Sequence, residues 1–113
     1  MADADQAETD VEHAVIARYR LADGGLGGQS QREVVRQAQS LLTEAIAHAD
    51  VGAFDGNEYG GGEVVLYAYG PDADALFAAM APILHDLPFR PAHAVLRYGS
   101  VDDPSAAGRR VDL

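Results

Sequence analysis

The side chains best suited to chemistry lie between residues 55 and 69. Asp55, Glu58 and Glu63 supply carboxylates there, and Tyr67 and Tyr69 supply phenol groups. Grouped carboxylate oxygens are typical ligands of Mg²⁺ or Ca²⁺, and paired carboxylates also serve in acid–base catalysis. The spacing matches no calcium-binding loop, however, and no histidine lies in the segment. We therefore predict no metal site and interpret these acidic residues as a solvated hairpin end.

Cationic side chains stand at alternate positions in two further segments. Arg18 and Arg20 lie in the first, and His93 and Arg97 occupy odd positions in the second. A guanidinium group binds a carboxylate or phosphate through two parallel hydrogen bonds. A period of two places side chains on one face of a β-strand. If both segments are strands of one sheet, these residues predict a surface that binds an anion.

Hydrophobic periodicity indicates the elements that must position these groups. Four strands are predicted, at residues 11–21, 50–58, 63–69 and 92–98. The glycine-rich stretch at 59–62 predicts a hairpin connection between the second and third strands. Apolar residues three and four apart predict an amphipathic helix that ends near Ala49, and Pro71 and Asp72 mark the entry to a second helix.

The element order β-α-β-β-α-β predicts an α+β fold of the ferredoxin-like, split βαβ type. Right-handed crossovers then give a four-stranded antiparallel sheet with both helices on one face and the first and third strands in the middle. The parity of each strand predicts the side chains on the uncovered face. They are Ile16, Arg18, Arg20, Val65, Tyr67, Tyr69, His93, Val95 and Arg97.

Composition narrows the classes of function. The 113 residues suffice for one domain, which we place at 11–99 between a disordered acidic tail at 1–10 and a loose tail at 100–113. The absence of cysteine excludes disulfides, thiolate metal sites and cysteine nucleophiles. A net charge of −10 without any lysine disfavours binding to nucleic acid or anionic membranes. No apolar run is long enough to span a bilayer, which predicts a cytoplasmic protein.

No cofactor is predicted from the sequence. The glycines at residues 24–28 follow a predicted strand, but they match neither the phosphate-binding pattern that ends in G-K-[ST] nor the dinucleotide pattern G-x-G-x-x-G. The four histidines are scattered without metal-ligand spacing, and no serine lies in a nucleophile-elbow context.

The segment G-N-E-Y-G-G-G-E-V-V-L-Y-A-Y-G-P-D-A-D-A-L-F, residues 56–77, resembles a motif in a family of small bacterial proteins. That family is ferredoxin-like in outline and carries no established activity. The resemblance therefore implies a fold and implies no reaction. It also implies that Glu58, Glu63, Tyr67 and Tyr69 belong to one structural or functional unit.

We predict a dimeric, non-catalytic binding domain. Its ligand is a small anionic molecule or a protein partner at the uncovered face, where Arg18, Arg20 and Arg97 hold charge and the tyrosines form walls. A second copy is a common cover for a half-apolar sheet face. Two alternatives stay open: a cofactor-free enzyme of the dimeric α+β barrel type, and an acidic immunity- or antitoxin-like protein that binds a basic partner through charge.

Overall fold

The structure is a computed structural model that describes residues 12–21, 29–99 and 105–113. Two helices and five strands lie in this part of the chain. They are β1 (His13–Arg20), α1 (Gln29–Ala49), β2 (Ala53–Gly60), β3 (Glu63–Gly70), α2 (Ala73–Asp86), β4 (Ala92–Arg97) and β5 (Gly108–Asp112). The predicted acidic tail at residues 1–10 falls outside the described residues.

The strands form one antiparallel sheet in the order β2-β3-β1-β4-β5. The predicted α+β class is therefore confirmed. The prediction of four strands was wrong, because β5 pairs with the outer edge of β4. This strand lies in the stretch predicted as a loose tail at 100–113. The strand is rich in charged residues, so its alternation was not recognised, although Val111 and Leu113 pack against the core.

A single hydrophobic core fills the space between the sheet and the two helices. The inner strands contribute alternate residues, namely Val15, Ala17, Tyr19, Val64, Leu66, Ala68, Ala94 and Leu96. The helices contribute residues three and four apart, namely Val35, Ala38, Leu42 and Ile46 from α1 and Ala73, Leu76, Met80 and Leu84 from α2. Both helices therefore cover the same face of the sheet. Neither of these two helices of the described chain is long and apolar enough to cross a membrane.

Helix α2 begins at a well-satisfied N-terminus. The side chain of Asp72 caps it by accepting from the amides of Asp74 (3.0 Å) and Ala75 (3.3 Å). The remaining amide of the first turn, that of Ala73, donates to Nδ1 of His13 at 3.0 Å. These contacts replace the intrahelical bonds that a helix start cannot make. The histidine also links the helix start to strand β1.

Strands β2 and β3 form a tight hairpin. Gly61 (φ +58°) and Gly62 (φ +80°) are its two turn residues, and positive φ at both positions suits the right-handed twist of the strands. The predicted connection at 59–62 was too long, since Tyr59 and Gly60 still pair with β3. A β-bulge shifts the register between Phe54 and Gly56.

Candidate ligand-binding face

The sheet face opposite the helices, here called the open face, consists of cross-strand rows of side chains. Taken from β2 to β5, the first row is Glu58, Val65, Arg18, His93 and Asp112. The second row is Gly56, Tyr67, Ile16, Val95 and Arg110. The third row is Ala53, Tyr69, Ala14, Arg97 and Gly108. Arg20 lies beyond these rows, opposite Glu63. The register thus brings all six predicted ligand-binding residues to one surface.

The centre of the open face is an apolar floor, formed by Ala14, Ile16, Val65 and Val95. Ala14 is 0% exposed and Val65 is 7% exposed, although neither belongs to the core beneath the helices. Ile16 and Val95 are half-buried. Both described helices pack on the opposite side of the sheet, so they do not provide this shielding.

The two arginines of β1 are oriented toward the β2–β3 hairpin. Nη1 of Arg18 lies 3.5 Å from Oε1 of Glu63, and these side chains remain 45% and 37% exposed. The guanidinium of Arg20 donates to the carbonyl of Gly61 at 3.1 Å. Exposed contacts of this kind contribute about 0–1 kcal/mol. A guanidinium has five N–H donors, so both arginines retain donors for a further acceptor.

His93 lies directly opposite Arg18 in the sheet. Partial burial lowers the pKa of His93, and the positive charges of Arg110 and Arg18 lower it further. Asp112 and Glu63 oppose this shift more weakly. The imidazole is therefore neutral at pH 7 and offers one donor and one acceptor nitrogen to this surface.

The acidic hairpin residues do not converge on one point. The hydroxyl of Tyr67 donates to Oε1 of Glu58 at 2.8 Å, and this hydrogen bond is the main reason that the pKa of Tyr67 is raised. Glu63 contacts Arg18 instead. Across residues 12–21, 29–99 and 105–113, no group of three acidic or histidine side chains is arranged to hold a metal ion.

A shallow depression opens at the β2–β3 end of the open face. It is lined by Asp55, Gly56, Asn57, Glu58, Tyr67 and Tyr69. The depression is open at Gly56, where an added Cβ atom would meet no other atom within 4 Å. The structure therefore joins the predicted tyrosines to part of the predicted acidic group.

The sequence reasoning missed the contribution of β5 to this surface. Arg110 and Asp112 lie on the open face beside Val95 and His93, and Nε of Arg110 is 3.2 Å from Oδ1 of Asp112. Arg109 lies on the other side, 3.7 Å from Asp74 of α2. The alternation of charged and apolar residues at 109–113 was the available signal, but it is short.

The solved structure of Rv0793 from Mycobacterium tuberculosis has a similar fold. Its TM-score is 0.52 and its sequence identity 19%, over 83% of this chain and 99% of that chain. The likeness concerns the fold alone. No protein-family model and no curated protein matches the chain significantly. The motif resemblance at residues 56–77 therefore stays a prediction, and function must be inferred from the open face.

Proposed function

We propose that this protein is a binding domain that takes up a small anionic molecule with an apolar body at the open face. The observation that supports the proposal is the row geometry around the apolar floor. Arg18 and His93 are adjacent in one cross-strand row. Arg97 lies on the same face, four residues after His93 along β4. An anion resting on the floor would meet these donors from one side.

Charge distribution favours an anion at this place. On the open face, strands β1 and β4 contribute the cations Arg18, Arg20 and Arg97, the neutral donor His93, and no carboxylate. The chain as a whole carries a net charge of −10, so the part of the open face formed by β1 and β4 is a local exception. Hydrogen bonds between guanidinium and carboxylate or phosphate are charge-assisted and contribute about 1.5–3 kcal/mol each. Tyr67 supplies an aromatic wall for the apolar body of the ligand.

We also propose that a second copy of the chain covers the open face. The apolar floor supports this, because Ile16 and Val95 stay partly exposed at its centre in the single chain. Two sheets packed face to face lie about 10 Å apart, and side chains fill that space unless a ligand does. The dimer would thus enclose the anion. Light scattering coupled to size exclusion measures the mass, and a monomer at all concentrations would contradict this part of the proposal.

The binding test is an NMR titration of the ¹⁵N-labelled protein with benzoate and with inorganic phosphate. We expect benzoate to shift the amides of β1 and β4, and Arg18→Gln and Arg97→Gln each to weaken its binding about tenfold. The matched control is Arg36→Gln, since Arg36 lies on α1 and pairs with Glu33. Shifts confined to the helices, or equal binding by all three variants, would overturn the proposal.

A second candidate function is cofactor-free acid–base catalysis. The observation that favours it is a neutral imidazole, His93, on the same face as the hydrogen-bonded pair Tyr67–Glu58. Incubation of bound anions with the protein, followed by mass spectrometry, tests for turnover. Binding without conversion would leave the binding role and remove the enzyme. A basic protein partner, by contrast, would bind with strong salt dependence at surfaces away from the arginines.

A further inference from the structure

We propose that the ligand of the open face carries a positive charge as well as a negative one, at opposite ends of an apolar body. This inference rests on the proposed function and specifies its ligand class. The negative end would lie on Arg18 and His93, as above. The positive end would occupy the depression at the β2–β3 end of the face.

The lining of that depression has the chemistry of a cation site. Two tyrosine rings and the carboxylates of Asp55 and Glu58 border it. Aromatic faces attract ammonium groups, and carboxylates neutralise them. Tyr67 and Tyr69 are alternate residues of β3 on the same face, and both line the depression, so the two rings border the same space.

The charge pairing of this face supplies an independent argument. Glu63 is paired with Arg18, and Asp112 with Arg110. Asp55 and Glu58, by contrast, form no ion pair with any residue in the described ranges, and Glu58 accepts a hydrogen bond from the neutral phenol of Tyr67. Within the described part of the chain, these two carboxylates are thus the negative charges of this face without an ion-pair partner.

The distance between the two ends sets the length of the ligand. Glu58 and Arg18 belong to the same cross-strand row and are separated by β3, which places their backbones about 10 Å apart. Val65 lies between them and is nearly buried, so the surface that joins the two charged ends is apolar. An ω-amino acid, with its ammonium and carboxylate joined by a hydrocarbon chain, matches this arrangement.

The test compares three probes of the same chain length: 6-aminohexanoate, hexanoate and hexylammonium. NMR titration should show 6-aminohexanoate binding about fivefold more tightly than either single-charge probe, because it gains an ion pair and a cation–π contact at the second end. Its shifts should extend from β2 and β3 to β1 and β4. Glu58→Gln should weaken 6-aminohexanoate about fivefold and leave hexanoate unchanged.

The control variant is Glu44→Gln, on the exposed side of α1, which should alter none of the three affinities. Tyr67→Phe keeps the ring but frees Glu58 from its phenol, so it should retain binding of 6-aminohexanoate. If hexanoate binds as tightly as 6-aminohexanoate, the cation site is refuted and the anion site stands. If none of the probes binds, the proposed function fails together with this inference.

Discussion

Replacing Tyr19 by phenylalanine removes one oxygen atom from the interior and tests how α2 is attached to β1. Tyr19 is 0% exposed, and its hydroxyl donates to the carbonyl of Leu84 at 2.7 Å. Leu84 lies in the last turn of α2, where backbone carbonyls have no intrahelical donor. Phenylalanine keeps the ring packing but leaves that carbonyl buried without a donor.

The expected loss of stability follows from the burial of this carbonyl. An unsatisfied buried carbonyl costs about 1–3 kcal/mol, so the free energy of unfolding of Tyr19→Phe should fall by that amount. Urea denaturation followed by far-UV circular dichroism measures it. The matched control is Tyr59→Phe, because the Tyr59 ring packs under Arg32 at 4.4 Å and its hydroxyl has no hydrogen bond to a described residue. We expect the control to change stability by less than about 0.5 kcal/mol.

High pH gives the same variant a second readout. Burial raises the pKa of Tyr19 above its ordinary value of 10.0. The unfolded chain therefore loses this proton first, and the folded protein loses stability as the pH rises above about 10. Tyr19→Phe should lack that part of the decline. A variant as stable as the parent at pH 7, with the same decline at high pH, would refute the described contact between β1 and α2.

Three further predictions concern single positions. His13→Ala should lower the free energy of unfolding by about 1 kcal/mol, because the Ala73 amide loses its acceptor. Urea denaturation measures this change, and an unchanged midpoint would contradict the cap. Gly70→Ala should destabilise by about 1–3 kcal/mol in the same assay, since its Cβ would clash with the Val51 carbonyl, whereas Gly60→Ala, with open space around it, should cost at most half as much. The lowered pKa of His93 means that the unfolded chain binds its proton first as the pH falls below about 6.5, so stability decreases there. His93→Gln should flatten this decrease in urea midpoints measured from pH 8 to 5, and an identical slope would argue against the shift.

Strands in which only every second residue is apolar were predictable from the sequence. In β1, the buried residues Val15, Ala17 and Tyr19 alternate with Ile16 and two arginines, so both the strand and its faces could be inferred. In β3 consecutive valines make either parity apolar. Its facing depends on pairing with β1, which is tertiary information. Helix α1 was predictable because its stripe repeats over 21 residues.

Other features depend on contacts that no local pattern contains. Strand β5 has a single valine among charged residues, and it exists because the edge of β4 is available for pairing. The partners within the open face follow from register across strands. The contact of Glu63 with Arg18 follows from the register of β1 against β3, in which Arg18 lies opposite Val65 and Arg20 opposite Glu63. The residues of the face were thus inferable, and their pairings were not.

The bulge in β2 has a consequence for what the open face contains. Phe54 and Tyr59 are separated by an odd number of positions, yet both pack against the core. Asp55 absorbs the extra step, so the strand changes phase at that point. Deleting Asp55 would join Phe54 directly to Gly56 and restore a continuous ladder, in which Glu58 stays opposite Val65 and Tyr59 stays opposite Val64. The extra residue thus places a further carboxylate at the edge of the tyrosine depression without changing which face the rest of β2 presents.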